Sequence, residues 1–141
     1  MSASARPRHI AVYGTLMRPF GAQERLGIAD QLAYEGPCAF RGILYDLGAY
    51  PGAVPDEEQV VQGELFRILD PRAMPAMDRL ENYDPEHEEG SQYLRRPLSL
   101  VEPAGQQAWI YWYNGPVEQG ARVPSGSWIE HVENRSRRRD A

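Results

Sequence analysis

Glu81 closes the stretch Met77-Asp78-Arg79-Leu80, at the end of a predicted helix whose apolar side carries Met77 and Leu80. A carboxyl group turned inward from such a helix loses hydration, which raises its pKa and makes it a usable proton shuttle near neutral pH. A solvated acid at a helix end is the competing reading. A second stretch, Val12-Tyr13-Gly14-Thr15-Leu16, ends the first predicted strand. Glycine there lets the backbone turn sharply and present successive N–H groups, which suit a carboxylate or a developing oxyanion. An ordinary strand-ending turn has the same composition. In a third stretch, Tyr93-Leu94-Arg95, strand alternation puts Tyr93 and Arg95 on one face. A tyrosine hydroxyl there could orient Glu81, and Arg95 could pair with a carboxylate. Tyr111, Trp112 and Tyr113 crowd one strand, packing a core with one face free to line a pocket. Asp78 is read as structural.

The elements that must position these groups follow from the punctuation of the chain. His9–Tyr13 reads as a buried strand stopped by Gly14, and 22–28 as a short helix. Residues 40–47 and 60–68 read as strands, with Gly63 marking a bulge or close approach. Gly52 and Pro55 mark turns. Asp70 caps a turn opened by Pro71, and Pro75 suits the first position of a helix running to about Asn82. Residues 83–92 read as an acidic loop. Residues 93–101 and 107–113 read as a hairpin around Pro103-Ala104-Gly105, and Ser127 as the cap of a last helix. The expected architecture is α+β, a small, partly closed mixed β-barrel flanked by short helices.

Composition removes several functions. A chain of 141 residues, 42% hydrophobic and 25% charged, fits one soluble domain, expected over residues 9–132. Residues 1–8 and the basic stretch 133–141 are expected to be disordered. The net charge of −5 opposes general nucleic-acid binding. No apolar run approaches the ~18 residues of a membrane span, and Met1–Arg8 lacks a signal core, so a cytoplasmic protein is expected. All 15 basic residues are arginine, which excludes lysine Schiff-base chemistry and a P-loop lysine. Cys38 is the only cysteine, read as a small buried hydrophobe. His9, His87 and His131 are too dispersed for a metal site, and His87 with Glu86, Glu88 and Glu89 is read as a hydrated loop.

Six short stretches in order across residues 9–130 resemble the gamma-glutamylcyclotransferase family, in its AIG2-like branch. They are Val12–Leu16, Gly42–Gly52, Val61–Phe66, Met77–Tyr83, Tyr93–Arg96 and Ala108–Tyr111. The resemblance implies a small barrel with one pocket at its mouth. It implies an enzyme that converts γ-glutamyl amines or peptides into 5-oxoproline and a free amine, with no cofactor or metal. It makes Glu81 the acid/base, and Tyr13, Gly14, Thr15, Leu16, Tyr45, Tyr50, Tyr93, Arg95 and Tyr111 candidates for binding substrate. The family usually has glycine after the glutamate; here Asn82 follows, a residue that tolerates left-handed backbone better than most. A small-molecule partner and a monomer are expected. A non-enzymatic binding module of the same fold, and an amide hydrolase or acyl-transfer variant, are the alternatives. The departing amine is not legible.

Overall fold

The computed structural model describes residues 6–140. Its centre is the strand β1 (His9–Val12), in which Ile10, Ala11 and Val12 are all buried. A strand covered on both faces reads as a continuous apolar run, and β1 does. It pairs antiparallel with β5 (Val60–Ile68) and parallel with β7 (Gln107–Tyr113). Outside these lie β2 (Leu32–Arg41) and β6 (Tyr93–Ser99), giving the order β2-β5-β1-β7-β6. The predicted hairpin is the β6–β7 pair. The strands β3 (Ile43–Asp46) and β4 (Pro51–Val54) form a separate hairpin, with β4 against β7.

The fold is α+β, but the barrel is not closed by a ladder. Among the described residues, β2 bonds to the turn that follows β6, where Ala39 exchanges backbone bonds with Val101 and Glu102. Gly63 makes the close approach expected of it: a Cβ there would stand 2.5 Å from the Val12 carbonyl oxygen, so only glycine lets β5 press on β1. Cys38, on β2, is buried as expected.

Three strand readings change. The predicted strand 40–47 is broken at Gly42, where β2 ends and β3 begins, and β2 starts as early as Leu32. The stretch around Gly52 is the strand β4, not a turn; Pro51 opens it, where no ladder donor is required of it.

The helices are α1 (Ala22–Leu26), α2 (Ala73–Leu80) and α3 (Trp128–Asp140). Helix α2 begins two residues before Pro75, which is tolerated because first-turn N–H groups lack intrahelical partners anyway. Asp70 Oδ1 accepts from the Arg72 N–H at 2.9 Å, the turn expected there. Ala73, Ala76 and Met77 bury one stripe of α2. Ser127 caps α3 by accepting from the Glu130 N–H at 3.2 Å. The stretch expected as a basic tail is helical from 133 to 140, a correction with two causes. Arginine is a good helix former, and Arg135 anchors the helix by donating to Asp46 Oδ2 at 2.9 Å. Asp46 also receives His131 at 2.8 Å. At the other end, residues 1–5 of the expected disordered segment lie outside the described residues, while the Arg8 carbonyl accepts from Ile68 at 2.8 Å. In the acidic loop, Asp84, Glu86 and His87 are all exposed. No helix among the described residues is long and apolar enough to cross a membrane.

Candidate active site

A cavity of about 390 Å³ opens between the end of β1, the end of α2 and the start of β6. The turn after β1 forms one wall. Tyr13 and Leu16 are buried, the Gly14 carbonyl accepts from the Met17 N–H at 3.0 Å, and Leu16's carbonyl accepts from the buried amide of Gln23 at 2.8 Å. Among the described residues, the N–H groups of Gly14, Thr15 and Leu16 donate to no protein acceptor. They are a row of fixed donors beside an empty space, the arrangement that binds anions.

Glu81 lines the opposite wall. Its own N–H closes α2 on the Met77 carbonyl at 3.0 Å, and the chain then reverses through Asn82 at φ 52°. Asn82 therefore adopts the left-handed turn for which glycine is the usual residue. The Glu81 side chain is half-buried by surface area because one side faces the cavity, yet protein atoms surround the rest. That burial alone pushes its carboxyl from 4.5 up to about 7. No protein donor among the described residues reaches the carboxylate, so nothing offsets the loss of water.

Three phenols frame this acid. The Tyr13 hydroxyl donates to the Tyr111 carbonyl at 2.6 Å and accepts from the Ala53 N–H at 3.1 Å. The Tyr93 hydroxyl donates to the Pro51 carbonyl at 2.6 Å, and the Tyr111 hydroxyl to Asp78 Oδ1 at 2.6 Å. Burial is the main cause that pushes all three phenols up, and the nearby Glu81 charge adds to it. They stay protonated and rigid. At the mouth, Gln92 links two sides by donating to the Tyr50 hydroxyl at 2.8 Å and accepting from the Asn82 amide at 2.9 Å.

Most of the residues singled out in the sequence gather here: Glu81, the turn from Tyr13 to Leu16, and Tyr50, Tyr93 and Tyr111 all line the cavity. Two do not. Tyr45 is buried within the β3–β4 hairpin opposite Gly52. Arg95 is drawn away by Asp78, donating from Nε at 2.9 Å and from Nη2 at 3.2 Å, with Trp109's ring centroid 4.5 Å from its Cζ. Its carboxylate partner is thus internal, and Asp78 is structural as expected. Sequence reasoning missed Arg25, Gln92 and Gln23. Arg25 had no signal beyond its position on a five-residue helix; the others fell in stretches read only as helix and loop.

In this small α+β domain, a turn with unpartnered N–H groups and a desolvated glutamate line one cavity. Residues 10–130 match the family described as "Gamma-glutamyl cyclotransferase, AIG2-like", and the chain belongs to that family. The gamma-glutamylcyclotransferase family protein YtfP of Escherichia coli is 36% identical over 121 residues, covering 86% of this chain and 96% of that protein. The solution structure of ytfP from the same species aligns with a TM-score of 0.62 at 28% identity, over 88% of this chain and 98% of the other. An uncharacterised protein from Pyrococcus horikoshii shares the fold, with a TM-score of 0.67 at 21% identity over 92% and 96% of the two chains.

Proposed function

We propose that this protein is a gamma-glutamylcyclotransferase, releasing 5-oxoproline and a free amine from a γ-glutamyl compound. One observation carries the reading: a carboxyl group raised to about 7 by burial shares a cavity with unpartnered backbone donors. The reaction needs both. The substrate's α-amine attacks its own δ-carbonyl, and a chain held curled makes that attack intramolecular, removing much of its entropic barrier. An α-ammonium has no lone pair, so the Glu81 carboxylate takes its proton first. The new C–N bond closes the five-membered ring, and the negative charge on the carbonyl oxygen collapses to expel the amine. Glu81, now a carboxylic acid, delivers that proton to the departing nitrogen, and the restored carboxylate passes the ring nitrogen's second proton to the freed amine, leaving a neutral lactam, an ammonium ion and Glu81 as it began. The N–H groups of Gly14, Thr15 and Leu16 hold the negative charge of the glutamyl moiety. The three phenols hold the walls and keep water out.

The test is Glu81→Gln, which keeps the size but cannot accept a proton. Turnover is expected to fall by ~10²-fold or more with folding intact; undiminished release of 5-oxoproline would remove Glu81 from the mechanism. Product analysis is the second arm, since free glutamate in place of 5-oxoproline would make the protein an amide hydrolase.

A further inference from the structure

Arg25 is the one cationic side chain lining this cavity among the described residues, and Glu81 the one acid. The two differ in depth. Glu81 is surrounded by protein, while Arg25 is exposed at the opening, on α1. Its Nη1 donates to the Phe20 carbonyl at 2.9 Å, and among the described residues its remaining N–H groups have no protein acceptor. Among the described residues it forms no ion pair with a carboxylate, whereas Arg18, Arg67, Arg72, Arg95, Arg96 and Arg135 all do.

This inference rests on the cyclotransferase reading above. The substrate's α-amine must reach Glu81, so the glutamyl part fills the inner end, with its carboxylate on the turn N–H groups. The amine to be expelled then points outward and leaves through the opening, past Arg25. A guanidinium offers a planar fork of donors that matches a carboxylate. We infer that Arg25 selects γ-glutamyl compounds whose leaving amine carries a carboxylate, that is, γ-glutamyl amino acids or peptides rather than γ-glutamyl alkylamines. In a chain of net charge −5, an unpaired cation at the mouth also favours an anionic ligand locally.

The experiment compares γ-glutamylglycine with γ-glutamylglycinamide, which differ only in that carboxylate, by 5-oxoproline release. In the unaltered protein kcat/KM is expected to favour the acid by about tenfold, the size of one charge-assisted hydrogen bond, and high salt is expected to shrink the preference. In Arg25→Met the preference disappears, with the loss in KM, and Arg25→Lys restores part of it. An acid-to-amide ratio that is near unity in the unaltered protein, or that survives Arg25→Met, overturns the assignment. So does an equal loss on both compounds, which would place the glutamyl carboxylate on Arg25. Absence of 5-oxoproline from both compounds with the unaltered protein defeats the cyclotransferase reading itself, and the inference with it.

Discussion

The phenol of Tyr111 donates to the Asp78 carboxylate at 2.6 Å, tying the sheet to the helix that ends in Glu81. Arg95 holds the same carboxylate from the neighbouring strand, and both partners of that ion pair are largely buried. Asp78 thus fixes where Glu81 stands without touching the cavity. Asp78→Ala leaves a buried guanidinium and a buried phenol without an acceptor. It is expected to cost about 3 kcal/mol in urea denaturation and to lower activity by displacing Glu81. Unchanged stability would show that α2 is held by its apolar stripe alone.

Glu81 is expected to be a stability liability as well as a catalyst. Its carboxyl rises on folding from 4.5 to about 7, so the folded state favours the protonated form. Its contribution is intact below about pH 4.5 and is lost as the pH climbs through 7. Glu81→Gln, which never ionises, should therefore be more stable than the native protein well above pH 7, by up to about 3 kcal/mol. The two should converge in acid. Thermal unfolding of both across the pH range checks the sign.

Under the proposed mechanism, the same group sets the pH dependence of turnover. The base is the carboxylate, so kcat/KM is expected to fall as the pH drops, with its acid limb centred near pH 7. A limb near 4.5, the ordinary carboxyl value, would mean that the acid is hydrated in the working enzyme.

Gly14→Ala is expected to damage the cavity from its back wall. The added Cβ would stand 2.9 Å from Pro51 Cγ and 3.1 Å from its Cδ, and a proline ring cannot swing aside. Pro51 lines the cavity, and its carbonyl receives Tyr93, so the shift propagates. A loss of about 1–3 kcal/mol on denaturation should accompany a raised KM.

What the sequence disclosed followed from local physics. The strand 60–68 is legible because β-branched residues and Gly63 each have one good explanation, and Ser127 is legible as a cap. Glu81 and the turn from Tyr13 to Leu16 stand at element ends, where local sequence alone reads as a solvated acid and an ordinary turn; the family resemblance is what singles them out. What stayed hidden depends on contacts distant in the chain. Nothing near Arg95 tells that Asp78, seventeen residues earlier, takes its charge. Nothing near Arg25 tells that α1 lies at the rim. Gly52 reads as a turn residue because its place in a strand comes from the packing of β4 on β7 rather than from propensity. The helical path of residues 133–140 owes as much to Asp46 as to its own arginines.

Cys38 turns its seclusion into a measuring device. Burial, with the Glu64 charge adding to it, pushes the thiol up to about 12, and the side chain is 2% exposed. At neutral pH it is neither ionised nor reachable, so an alkylating reagent should modify it only in molecules whose sheet has opened. Labelling followed by mass spectrometry then times spontaneous opening of the native protein. Rapid labelling without denaturant would show that β2 detaches easily from β5, and slow labelling would show that the five strands open as a unit.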